Sequence, residues 1–187
     1  MNDNHKQALA CLLGGFVAQG MQLSDMAIVG GYARDLAHGA EPKDIDVVVV
    51  NCIATGLLVN NVGAGWKLEH VYSDDADYTG EGVDYDRRLK AVLKFKHIYD
   101  DVLPVDVLVP LPEFDTVYGF VQKFDYNLNQ YVIPGSQVVL GSPGPLFIGK
   151  NEGELQQLRD SQVTEERAQR MRAKAEAFGW LVPQEDI

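Results

Sequence analysis

The apolar positions of this chain change period several times, and the changes mark its elements. Met26 to Val29 is a short apolar run ending at Gly30-Gly31, the residues up to His38 read as a helical segment closed by Gly39, and Ile45 to Val50 is β-branched and continuous, as in a buried strand. The pattern therefore predicts strand, glycine turn, short helix, loop and strand between residues 26 and 50. Upstream, Ala8, Leu12, Leu13, Phe16 and Val17 recur at helical spacing and predict an amphipathic helix over residues 4–19, in which Gly14-Gly15 would let a neighbour pack closely.

Downstream, residues 51–61 predict a helix ended near Gly63 and Gly65, and residues 66–72 and 89–98 alternate as strands. Val102 to Pro110 reads as a strand bounded by prolines, and Pro112 to Lys123 has a helical period through Phe114, Val117, Phe120 and Val121. Within 135–149, Val138 to Leu140 and Leu146 to Ile148 predict two short strands between Gly/Pro turns. Residues 151–161 and 164–178 predict two helices; Thr164 is placed to cap the second, Glu165 and Glu166 suit its first turn, and Gly179 stops it.

A chain of 187 residues is most economically one domain. We assign residues 1–150 to the main domain and 151–187 to a C-terminal helical extension packed on it. The formal charge of −11 disfavours a protein that covers long nucleic-acid backbones, but not one that binds a small nucleotide whose charge a metal neutralises. Cys11 and Cys52 have no metal-ligand spacing and suggest a reducing cytosol; no signal peptide and no long apolar run is present, so a cytoplasmic protein without a membrane segment is expected.

The chemistry centres on the mouth of the strand 45–50. Asp44 and Asp46 stand at i and i+2, so in a strand they face one way with Cα atoms roughly 6.5–7 Å apart. Two carboxylates so placed can share a pair of divalent cations of the kind that clamps the attacking and leaving oxygens in phosphoryl transfer. Gly30-Gly31 lets backbone approach a bulky anion at a helix N-terminus, and Arg34, one turn in, suits phosphate oxygens.

Gly-Gly-x-x-Arg-Asp over residues 30–35 followed by Asp-x-Asp over 44–46 resembles the signature of the polymerase-β-like nucleotidyltransferase superfamily. The variety is that of tRNA CCA-adding enzymes and bacterial poly(A) polymerases. The resemblance covers residues 16–130 and implies an α+β fold with a mixed central sheet and helices packed mainly on one face. It also implies a third metal-binding carboxylate on a strand beside the Asp-x-Asp strand; Asp106, between Val105 and Val107, matches it. It thus implies Asp44, Asp46 and Asp106 as catalytic residues and ligands of two Mg2+ ions, with Mn2+ as a substitute. Phe124 to Gln130 loosely resembles the Arg-Asp-Phe-Thr-x-Asn segment that closes such head domains near the sugar and phosphates, with Asp125 and Asn127 at matching positions. Asp125 reads equally as a structural cap or pair. Asp35 reads as a structural partner of the helix, and Lys43 as a phosphate contact or a surface charge.

With this site, the resemblance implies transfer of a nucleoside monophosphate from a nucleoside triphosphate to an acceptor hydroxyl. The favoured acceptor is an RNA 3′ end, because the Gly-Gly-x-x-Arg-Asp variety belongs to that subgroup, with a protein side chain or a small molecule as the alternatives; small stand-alone members of the superfamily, some of them from bacteria and bacteriophages, have this size. A non-catalytic, antitoxin-like module that masks a basic partner is the other reading, and the net charge suits it. Arg167, Arg170 and Lys174 form a cationic stripe on the last helix, which is either a solvated face or a contact for acceptor phosphates. The acidic segment 74–86 is by default a solvated connection. The cations Arg87, Arg88 and Lys90 that follow also suit a lid, and Asp75-x-Asp77-x-Thr79-Gly80 with Asp86 partly fits a calcium loop lacking its final Glu.

Overall fold

A computed structural model describes residues 3–52, 54–59, 65–73, 88–141, 144–158 and 163–183. The acidic segment 74–86, with its lid and calcium-loop readings, and Arg87 lie outside the described residues.

The chain runs α1 (Asp3–Ala18), a 3-10 turn (Leu23–Asp25), β1 (Met26–Val29), α2 (Gly31–Ala37), β2 (Ile45–Val49), α3 (Thr55–Val59), β3 (Trp66–Ser73), β4 (Leu89–His97) and β5 (Val105–Pro110). It continues through α4 (Val117–Val121), a 3-10 turn (Asn127–Asn129), β6 (Tyr131–Pro134), α5 (Gly135–Val139), β7 (Leu146–Phe147) and α6 (Glu165–Ala177). The strands form one sheet of order β3-β4-β5-β2-β1-β6-β7. β2 and β5 are parallel and the other neighbours antiparallel, so the sheet is mixed and the fold α+β, as predicted.

Strand alternation divides the apolar residues between the two faces. Ile28, Ile45, Val47, Val49, Leu93, Phe95, Val105 and Val107 join Leu9, Leu12, Leu13 and Phe16 of α1 and Met171 and Ala175 of α6 in the main core. The four α1 side chains are essentially inaccessible to water, each contributing about 1.5–3 kcal/mol of burial. The alternate residues Ala27, Val29, Val48, Val50 and Val92 meet Phe120 and Val121 of α4 in a smaller cluster on the opposite face. That face is thinly covered, and it is the face to which Asp46 and Asp106 belong by alternation.

Several local expectations change. The predicted helix 151–161 is absent over 151–158, because the buried Asn127 amide donates to the carbonyls of Lys150, Asn151 and Glu154 and accepts from the Gln156 N–H. This satisfies backbone groups that a helix would have used. Residues 138–140, read as a strand, end the short helix α5. Its first residue, Gly135, lies so close to the Leu23 and Met26 carbonyls that a Cβ there would be 2.9 Å from each. Tyr131–Pro134, which the period did not single out, is a strand paired with β1. The helix predicted at 112–123 shrinks to Val117–Val121, capped by Thr116, and that predicted at 51–61 starts only at Thr55 and is described as far as Val59. Gly14 does not serve close packing, since a Cβ there would meet nothing within 4 Å.

Candidate active site

β1 delivers the chain to Gly30, whose φ of 68° and ψ of −130° no residue with a Cβ adopts readily. A Cβ on Gly30 would also stand 3.8 Å from Asp46 Oδ2 and 3.7 Å from the Phe124 ring, so the turn lies against the carboxylate. α2 then begins at Gly31, with Gly30 as its cap.

Asp46 and Asp106 are paired in register on the parallel strands β2 and β5 and so stand side by side on one face, about 4.8 Å apart in backbone. In the same line, Lys94 of β4 pairs with Asp106, its Nζ 2.9 Å from Asp106 Oδ2. Asp44 is exposed at the mouth of β2, as is Lys43. Burial, then the charges of Asp44 and Asp106, push the Asp46 carboxyl up to about 7, against a smaller downward pull from Lys94. The site concentrates negative charge where water is partly excluded, and a hard divalent cation with carboxylate oxygens as donors would relieve it. The donor chemistry fits such a cation, although among the described residues no three His, Cys, Asp or Glu side chains are already gathered at ligand spacing.

Arg34 is buried behind the turn. Its Nε and Nη2 donate to Asp35 Oδ1 at 2.7 and 2.6 Å, and its Nη1 to Asn129 Oδ1 at 2.6 Å. Lys174 of α6 reaches the same Asp35 carboxylate at 3.0 and 3.1 Å. Asp35 thus pairs within the protein, as the sequence suggested, and Arg34 and Lys174, read from the sequence as phosphate and acceptor contacts, are both held by its carboxylate. The guanidinium still lies beneath the turn, Nη2 being 3.6 Å from a Cβ built on Gly31.

Asp125 accepts a bidentate pair from Arg167 and a further bond from Asn129, and its Oδ1 takes the Tyr126 N–H. Burial alone would raise its carboxyl, but the hydrogen bonds and charge of Arg167 outweigh this and hold it below the usual range. Asn127 is fully buried and faces the 150–156 segment. Arg170 is exposed on α6.

Two residues not assigned to the site from sequence stand beside it. Phe124 walls Gly30, and Arg88 lies with its guanidinium 5.3 Å from the Phe120 ring and 5.7 Å from that of Phe124 while donating to the Lys123 carbonyl. The signal for Arg88 was its place in the cationic run after the acidic segment; nothing in the sequence joined it to Phe124.

No protein-family model matches the sequence, and no curated protein matches it. Solved structures do. A CCA-adding enzyme in its apo form superposes with a TM-score of 0.60 at 20% identity, over 98% of this chain and 41% of that one. A complex of a CCA-adding enzyme with ATP gives 0.62 at 17% identity over 98% and 40%. The Thermotoga maritima CCA-adding enzyme complexed with tRNA gives 0.55 at 20% identity over 95% and 39%. The chain therefore shares the fold of the matched part of these CCA-adding enzymes, and it spans about two fifths of their length. No helix among the described residues is long and apolar enough to cross a membrane.

Proposed function

We propose that this chain is a metal-dependent nucleotidyltransferase that moves a nucleoside monophosphate from a nucleoside triphosphate to an acceptor hydroxyl, releasing pyrophosphate, with an RNA 3′ end as acceptor. The observation that carries the reading is the in-register pair Asp46 and Asp106 on one sheet face, with the Gly30 turn against Asp46. The CTP, ATP and tRNA complexes among the structural neighbours support the choice of substrates.

Asp44, Asp46 and Asp106 would hold two Mg2+ or Mn2+ ions, which when bound supply neutralisation of the phosphates and of the developing oxyanions. The Gly30-Gly31 turn admits the β- and γ-phosphates against backbone N–H groups, and the buried Arg34 sets positive charge behind it. Arg88 flanks the turn through Phe124 and supplies a second cation toward the same phosphates. Asp106 takes the proton of the acceptor hydroxyl as its oxygen attacks the α-phosphorus in line. The bond to the bridging oxygen of the β-phosphate breaks, and pyrophosphate leaves. Lys94, which holds Asp106 in the structure, must turn away for Asp106 to do this.

The Lys94 to Asp106 pair also favours a second reading. A head whose carboxylate is already neutralised by an internal ammonium, in a chain of formal charge −11, suits a regulatory module that masks a basic partner. One experiment separates the two. Purified protein with Mg2+, each α-labelled nucleoside triphosphate and a total bacterial lysate should give carboxylate-dependent label that RNase removes. Label removed only by protease would point to nucleotidylation of protein; no label beside normal nucleotide binding would favour the regulatory module.

A further inference from the structure

We propose that the open face of β3 and β4, next to the carboxylates, is the platform on which a single-stranded RNA acceptor lies. The inference rests on the proposed transfer reaction and names where its acceptor binds.

Register puts this face in order. His70 pairs with Lys94, Lys94 with Asp106, and Asp106 with Asp46, so these four residues stand in one line across β3, β4, β5 and β2. Three strand spacings of about 4.8 Å separate the backbone of His70 from that of Asp46 by about 14 Å. Lys67 pairs with Lys96, and Tyr72 with Val92, on the same face. Lys96 and Asp44 each lie one residue beyond the line of Phe95, Val105 and Ile45, so the lysine pair runs toward the mouth where Asp44 stands.

The composition of this face is contrary to that of the chain. The protein carries 27 acidic and 16 basic residues, yet the ladder positions of β3 and β4 on this face are Lys67, His70, Tyr72, Leu89, Val92, Lys94 and Lys96, with no carboxylate among them. Glu69 is the extra residue at the bulge between Leu68 and His70 and is outside the ladder. Lys67, Lys96 and His70 are exposed. The His70 and Tyr72 rings lie 6.0 Å apart at 31°, offering π-faces beside the lysines. Cations interleaved with aromatic rings on an open sheet are the chemistry that tracks a single strand, the lysines taking phosphates and the rings taking bases. A basic protein segment would be repelled here, and a small-molecule acceptor would not need a surface this long. The cations of α6 belong to the other layer, since Met171 and Ala175 anchor that helix in the main core.

The test uses the whole chain and a 5′-fluorescein, 3′-hydroxyl oligoribonucleotide. Wild type, the Lys67→Glu/Lys96→Glu double variant, His70→Ala and Arg170→Glu are compared by anisotropy across a salt series and by steady-state label transfer. The double variant should bind RNA at least tenfold more weakly, flatten the slope of log affinity on log salt by about 1.4, and raise the KM for RNA with the KM for nucleotide and the thermal midpoint unchanged. His70→Ala should lose about fivefold in affinity. Arg170→Glu, a single charge reversal of the same kind on α6, should leave both unchanged. Unaltered RNA affinity and KM in the double variant while transfer to RNA proceeds would overturn the platform and leave the proposed reaction standing. Platform-dependent RNA binding with no transfer from any triphosphate would retain the surface and refute the reaction. Loss of RNA binding in Arg170→Glu in place of the double variant would overturn the platform.

Discussion

Asp46 is held where its charge is least welcome, and replacing it by Asn should expose that cost directly. Its carboxyl is pushed up to about 7 by burial and by Asp44 and Asp106. Between about pH 4 and pH 7 the folded chain therefore holds a proton that the unfolded chain has released. Because the folded value lies above the unfolded one, stability is full below about pH 4 and falls as pH rises, the loss being complete above about pH 7. A rise from about 3.8 to about 7 corresponds to a ceiling of about 4 kcal/mol; with Asp46 only partly shielded from solvent, about 2 kcal/mol is the working figure.

The assay is urea unfolding of wild type and Asp46→Asn in EDTA, at about pH 4 and about pH 8. The two proteins should be nearly equal at the lower pH, with the variant about 2 kcal/mol more stable at the higher one. Taking the difference between them cancels the His5 and His38 titrations, which both chains share. Mg2+ should then restore the wild type, by about 2.7 kcal/mol at a hundredfold excess over Kd, and leave the variant almost unmoved, while the variant loses transfer activity. A variant less stable than wild type at about pH 8 in EDTA would refute the argument, because Asp46 would then not be facing other carboxylates in a partly dry site.

Other consequences follow from particular contacts. Gly14→Ala, in the exposed middle of α1 with open space for the Cβ, should stabilise by about 0.5–1 kcal/mol and raise the thermal midpoint by a few degrees. Asn127→Ala strips a buried amide of its bonds to the 150–156 segment and should cost about 2–3 kcal/mol in urea unfolding, with faster proteolysis of that segment. Gly30→Ala should cost about 1–3 kcal/mol through its backbone angles and weaken nucleotide binding as measured by calorimetry. His38 stacks on Phe178 at 4.3 Å, and burial lowers its pKa; its neutral form therefore supports the fold above about pH 6.5, and that support is lost as pH falls through the lowered value. His38→Phe should make this part of the acid sensitivity disappear in pH-dependent unfolding.

Much of the candidate site's placement was legible because strand alternation is a rigid rule. Once Ile45–Val49 is a buried strand, Asp44 and Asp46 must share a face, and the φ of Gly30 is the kind of angle that a Gly-Gly turn advertises. What could not be read was the destination of long side chains. Arg34, Arg167 and Lys174 each end on a carboxylate that no local pattern announces, Arg34 on its own neighbour Asp35, Lys174 on the same Asp35 from far along the chain, and Arg167 on Asp125. Lys94 was invisible for the same reason, since only the register of β4 on β5 brings it to Asp106. The segment 151–158 failed as a helix because a side chain 24 residues or more upstream, Asn127, claims its carbonyls, and no local pattern encodes that.

These side-chain destinations give the C-terminal helix a place in the site's logic. Lys174 and Arg34 share one buried carboxylate, Asp35, and Asn129 joins Arg34 to Asp125, which Arg167 clamps. The two ends of this chain of bonds, at Lys174 and Arg167, are on α6, seven residues apart and therefore on one face of the helix. Arg34 is fixed beneath the Gly30-Gly31 turn only while that double clamp holds, since without Lys174 the Asp35 carboxylate would balance Arg34 alone. Lys174→Met is therefore expected to act at a distance. It should cost about 1–3 kcal/mol in stability and raise the KM for nucleoside triphosphate while the KM for RNA stays unchanged, the reverse of the split expected from the β3 and β4 lysines. An equal change in both constants would mean that α6 supports the whole fold without specifically holding the turn.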